Sequence, residues 1–118
     1  MSKKQAFIAY TNENGKLFHA MTYARQAYER GDLSELYFAG EATALPAILD
    51  DSEHPMYELY MNLIQTGVIK GACENCAIAF GNEKSASKSI DLVKGPESSF
   101  GQIDILGFDD LGYRVWIF

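Results

Sequence analysis

The sequence predicts a single α/β domain built on a mainly parallel sheet. Short β-rich runs alternate with helical apolar stripes, glycines punctuate most of the changes, and 118 residues suffice for one core but not for two. No low-complexity segment, internal repeat or Pro/Gly/Ser-rich linker divides the chain, so residues 1–118 read as one domain.

Phe7-Ile8-Ala9-Tyr10 opens as a strand, and the polar stretch Thr11-Asn12-Glu13-Asn14-Gly15 offers several N-cap candidates. Leu17, Ala20, Met21, Ala24, Ala27 and Tyr28 recur at 3.6-residue spacing, which lays an apolar stripe along one helix face. Gly31 stands where a C-terminal cap is expected. Leu36-Tyr37-Phe38-Ala39 is the second strand, stopped by Gly40, and Ala42 to Leu49 reads as a short helix with Pro46 in its first turn. After the loop Asp50-Asp51-Ser52-Glu53, Pro55 opens a helix with the stripe Met56, Leu59, Tyr60, Leu63 and Ile64, ended by Gly67. Val68 to Ala72 is the third strand. Cys73-Glu74-Asn75-Cys76 follows directly, and Ala77-Ile78-Ala79-Phe80 starts a helix expected to run toward Ser85 or Ser89.

Ile90-Asp91-Leu92-Val93 reads as a fourth, weaker strand before the loop Lys94 to Gly101. Ile103, Leu106 and Leu111 mark a short helix crossing to a fifth strand, although Gly107 weakens it by about 1 kcal/mol relative to Ala. A hairpin through Asp109-Asp110-Leu111-Gly112 is the alternative; the preceding βα alternation favours the helix, because parallel neighbours need a crossover. Tyr113 to Phe118 is nearly continuous in apolar character, as a strand buried on both faces would be.

Sixteen acidic against ten basic residues give a formal net charge of −6, with no Lys/Arg cluster to offset it locally. That field repels polyanions, so neither nucleic acid nor an anionic membrane surface is expected as a partner. The longest uncharged apolar run, Ala6 to Tyr10, falls far short of the ~18 residues a membrane span needs. Ser2-Lys3-Lys4 is followed by no signal-type apolar region, which leads to the expectation of a cytoplasmic protein.

Chemistry concentrates on the two cysteines, Cys73 and Cys76. Two cysteines placed at random fall three apart in only about 2% of pairings, so the spacing is informative. Ligands of open α/β sheets gather at the carboxyl ends of strands, where Cys73 is predicted to lie, and the helix that follows presents unpaired N–H groups that favour a thiolate. Cys76 comes one helical turn later on nearly the same face. Glu74 opposes thiolate formation, and Lys70 offsets it only if it shares the face.

A functional thiol site is one reading; an inert buried pair and a metal site are the others. A closed zinc site needs four ligands, and only His19 and His54 are available to join the thiols, which leaves a site shared between subunits as the metal route. A thioredoxin-like dithiol is a further alternative, but here the motif follows the third strand, and Pro96 is the sole later proline. Tyr10, Thr11, Asn12, Gly40 and Glu41 lie at predicted strand ends, as pocket lining or as plain turn and capping residues. Tyr23, Tyr57 and Phe100 are candidates to face a neighbouring subunit. No Gly-x-Gly-x-x-Gly or phosphate loop occurs, no catalytic carboxylate pair is signalled, and no cofactor or resident metal is expected.

The segment Val-Ile-Lys-Gly-Ala-Cys-Glu-Asn-Cys-Ala-Ile-Ala-Phe-Gly, Val68 to Gly81, resembles the cysteine segment of the DsrE/DsrF-like family, which includes sulfur-relay proteins. The ending, Gln102 to Ile105 and Gly112-Tyr113-Arg114-Val115-Trp116-Ile117-Phe118, is also similar to members whose last helix leads through Gly-Tyr into a final strand. The resemblance implies a three-layer α/β/α domain on a five-stranded parallel sheet, assembled as a trimer or hexamer. It implies a persulfide-carrying cysteine that exchanges sulfur with donor and acceptor proteins; carried over, that role falls on Cys73, with Cys76 as a second or resolving thiol. Phe80 departs from the pattern, since relay-type members commonly carry Arg immediately before this glycine. A non-enzymatic oligomeric binding module, with the cysteines incidental, is the competing reading.

Overall fold

The computed structural model describes residues 2–118 and contains a five-stranded sheet in the order β4-β3-β2-β1-β5, with every neighbouring pair parallel. In chain order the elements are β1 (Lys4–Ala9), α1 (Asn14–Glu29), β2 (Leu33–Phe38), a 3-10 turn (Gly40–Ala44), α2 (Leu45–Leu49) and α3 (Tyr57–Gln65). They continue with β3 (Ile69–Cys73), α4 (Glu74–Ala79), α5 (Glu83–Ser87), β4 (Leu92–Val93), a second 3-10 turn (Glu97–Ser99), α6 (Ile105–Asp110) and β5 (Tyr113–Ile117).

From β1 to β4 the strands are laid down in one direction, and right-handed crossovers then put the connecting helices on one face. Accordingly, the α1 stripe (Leu17, Ala20, Met21, Ala24, Ala27) joins Tyr60 and Leu63 of α3 over Phe7, Leu36 and Phe38. The step from β4 to β5 reverses direction, so α6 lands on the opposite face. There Ile8, Tyr37 and Cys73 are covered by Ile103, Ile105 and Phe108. The result is the expected three-layer α/β fold.

Local chemistry explains most boundaries. Glu13 caps α1, its Oε1 accepting the Gly15 N–H at 2.7 Å. Asp104 caps α6 by accepting the Gly107 N–H at 3.0 Å, which offsets the helix cost of that glycine. Three expectations are corrected. The helix predicted from Ala77 toward Ser85 or Ser89 starts earlier, at Glu74, and is two short helices, α4 and α5, broken at Phe80–Asn82. Tyr28 is exposed rather than on the buried α1 stripe. The last strand is not buried on both faces: β5 is an edge strand beside β1, and Trp116 and Ile117 are 46% and 57% exposed, because α1 sits over β1 and β2 and stops short of β5.

Gly71 lets β4 approach β3 beside the cysteines. A Cβ there would lie 2.5 Å from the Asp91 carbonyl oxygen and 2.8 Å from Val93 Cγ2. Gly71→Ala is therefore expected to cost about 1–3 kcal/mol in urea unfolding, as overpacked sites do. At the other end of the sheet, the Asp32 carboxylate accepts the Gln5 amide, the Lys3 N–H and Arg30 Nε, and these bonds, led by Gln5, hold its pKa at about 2 instead of 3.8. A depressed carboxyl pKa stabilises the fold above the unfolded value, and the contribution disappears as pH falls from about 4 through about 2. Asp32→Asn is expected to lower stability at neutral pH and to flatten this acid limb in pH-dependent denaturation.

Candidate functional site

β3 ends at Cys73, and the chain turns directly into α4, of which Cys73 is the N-cap residue. The i, i+3 spacing brings Cys76 back toward it, and the two cysteines stand 3.4 Å apart as free thiols. A disulfide would require the sulfurs to close to about 2.05 Å. α4 has only six residues, so its dipole contributes less than the sequence pattern implied.

Residues from the carboxyl ends of three strands converge here. Tyr10 follows β1, and burial followed by the proximity of Cys76 and Cys73 raises its phenol pKa. Gly40 follows β2, and its backbone opposes the burial-driven rise in the Cys76 pKa. On the far side, segment 94–104 crosses the pair as a strap. Cys73 Sγ approaches the Gly101 carbonyl oxygen at 3.9 Å, and Cys76 Sγ donates to Gln102 Oε1 at 3.3 Å. Turned over, the same amide offers an N–H to a thiolate. Burial pushes the Cys76 thiol up; the Gly40 N–H and Gln102 oppose the rise, and the neighbouring Cys73 adds to it.

Both cysteines are buried, Cys73 at 0% and Cys76 at 5% exposure. Their surroundings mix apolar side chains with a carbonyl, an amide, a backbone N–H and a phenol. The strap is held by local backbone bonds, Gly95 N–H to Gly101 O at 3.1 Å and Gly101 N–H to Pro96 O at 3.0 Å. Its tip is Phe100, 88% exposed with φ +56°, a left-handed conformation that costs a non-glycine residue about 1–2 kcal/mol.

Of the other residues singled out, Tyr10 and Gly40 reach the pair. Thr11 instead accepts the Glu13 N–H in the turn before α1, while Asn12 and Glu41 are exposed. His19 is exposed on α1 against Tyr23, and His54 Nδ1 accepts the Met56 N–H in the turn before α3. Among the described residues no group of three His, Cys, Asp or Glu side chains converges. Gly101 and Gln102 were not foreseen. They lie in an aperiodic loop, and the only signal toward them was the Gly95-Pro96 start and the Gly101 end of that loop.

A Cβ on Gly95 would overlap the Gln102 carbonyl oxygen. Gly95→Ala is therefore expected to displace the strap and to raise the iodoacetamide alkylation rate of both cysteines about tenfold or more, since a local opening cost reduced by about 1.4 kcal/mol changes the open population tenfold. Peptide mapping after timed alkylation checks this, and unchanged rates would show that the strap does not control access. Comparison with known proteins finds no matching family model, no matching curated protein and no matching solved structure.

Proposed function

We propose that this protein is a sulfur carrier of the DsrE type, in which Cys73 accepts sulfur as a persulfide and Cys76 serves as its partner thiol. The observation that carries the reading is the pair of free thiols 3.4 Å apart at the carboxyl end of a parallel sheet, under a short strap. In the proposed step the Cys73 thiolate attacks the outer sulfur of a donor persulfide. The donor S–S bond breaks, the donor leaves as a thiolate, and Cys73 holds the terminal S–H. An acceptor thiolate takes that sulfur and restores Cys73. Alternatively, Cys76 attacks the inner sulfur, hydrosulfide leaves, and a Cys73–Cys76 disulfide remains for an external dithiol to reduce.

The strap must open first, because both thiols are buried beneath it and out of a donor's reach. Sulfur donor and acceptor proteins are the proposed partners, a reducing cytoplasmic compartment the proposed setting, and a homo-trimer or hexamer the proposed assembly. No helix is long and apolar enough to cross a membrane. A second reading, a non-enzymatic binding module with inert cysteines, is favoured by the complete burial of Cys73.

Incubation with a persulfide donor, followed by intact-mass and peptide analysis, separates the two. A gain of one sulfur at Cys73 that disappears in Cys73→Ser and is lost to an added thiol acceptor is the expected result. Absence of any sulfur adduct on the Gly95→Ala variant, in which the pair is expected to be accessible, would sink the carrier reading and leave the binding module.

A further inference from the structure

The face of the sheet opposite the cysteines carries a second site-like feature, a groove of about 480 Å³ between α1 and the edge strand β5. Its floor is aromatic. Phe7 and Trp116 are register partners on β1 and β5, with ring centroids 6.4 Å apart and planes within 13° of each other. Phe118 continues the floor beside Phe7, and Tyr23 rises from α1 at 6.2 Å from the Phe118 ring. The volume lies within the range typical of small-ligand pockets, about 300–1,000 Å³.

What distinguishes the groove from an uncovered apolar face is how its exposed groups are held. Trp116 donates its indole N–H to Gln5 Oε1 at 2.8 Å, Gln5 Nε2 donates to Asp32 Oδ2 at 2.8 Å, and Arg30 Nε donates to the same carboxylate oxygen at 2.7 Å. Gln5 and Asp32 are 5% and 8% exposed. Two buried polar side chains thus fix the orientation of one exposed indole and one exposed guanidinium. Preorganisation of this kind raises affinity by removing the entropy cost of ordering contact groups on binding.

Charge points to the occupant. In a chain of net charge −6, the groove is lined by Arg30, which Asp32 pairs, and by Arg114, and among the described residues no Asp or Glu side chain lines it. Arg114 has no ion-pair partner among the described residues. A two-fold contact of this groove with its counterpart in a second copy fits poorly, because it would oppose two concave faces and set the arginines of each copy against the other's.

We propose that this groove binds a small planar aromatic anion, its ring laid on the exposed Trp116 and its carboxylate or phosphate taken by Arg114. Trp116 is the chain's single tryptophan, so its indole N–H resonance reports occupancy directly. Titration with 2-naphthoate, 2-naphthyl phosphate and the neutral 2-naphthalenemethanol, followed by nitrogen–proton correlation NMR, tests the assignment. Both anions are expected to give saturable shifts of the Trp116 resonance at least about tenfold tighter than the alcohol, and the tighter anion identifies the preferred head group. Arg114→Gln, at an exposed position, is expected to remove that advantage, and added salt to narrow it. Equal affinity for anion and alcohol, anion binding unaffected by Arg114→Gln, or shifts that follow protein concentration without ligand would each overturn the proposal, the last in favour of self-association.

Discussion

β1 is paired in parallel with both β2 and β5, and this one arrangement governs the remainder of the molecule. A parallel neighbour cannot be reached by a tight turn, so every strand must be joined to the next by a crossover, and crossovers are right-handed. Three successive steps away from β1 place α1, α2, α3 and α5 on one side. The last strand then joins the far side of β1 and does not extend the sheet beyond β4, and returning there puts α6 on the other side. That return helix is only six residues long. One face of the sheet is consequently thick and the other thin, and the thin face is finished by an aperiodic strap. The thiols lie under that strap, and the aromatic groove lies where the thick layer ends before β5. Both features follow from the same topology.

Burial sets the chemistry of the cysteine pair. A thiolate at Cys76 would have to be stabilised by the Gly40 N–H and the Gln102 amide against desolvation, and desolvation prevails. Cys76 therefore rests as a thiol, and its ionisation is tied to displacement of a few residues of loop. Phe100, in its left-handed conformation, makes that loop less stable than a glycine at the same place would, and local stability is what decides how often such a segment opens.

Much of the fold was legible in the residues. The stripes of α1 and α3, the glycines after them, and the apolar runs of β1 to β3 act through local periodicity, and the structure follows them. The choice of helix over hairpin at residues 103–111 rested on alternation, and Asp104 supplies the cap that makes it workable. The last strand was misjudged because an apolar run marks contact with something but not which layer provides it; β5 lies beyond α1. The cysteine pair was readable from spacing, and its position at a strand end from the βα order. Its cover was not, since Gly101 and Gln102 meet the sulfurs through contacts 28 and 26 residues away in sequence. The relay from Arg30 through Asp32 and Gln5 to Trp116 was invisible for the same reason, joining the two ends of the chain.

The outer border of β5 has a consequence for how the chain behaves in company. β5 pairs only with β1, which leaves its other row of backbone amides and carbonyls without a strand beside it. Tyr-Arg-Val-Trp-Ile-Phe is rich in β-branched and aromatic residues, lacks proline, and carries a single charge. Such a border templates strand addition and fibril growth, and natural sheets resist this by placing a charged gatekeeper on it. Arg114 is the only residue of the segment able to fill that office, so its charge disfavours strand addition at this border whatever else its guanidinium does.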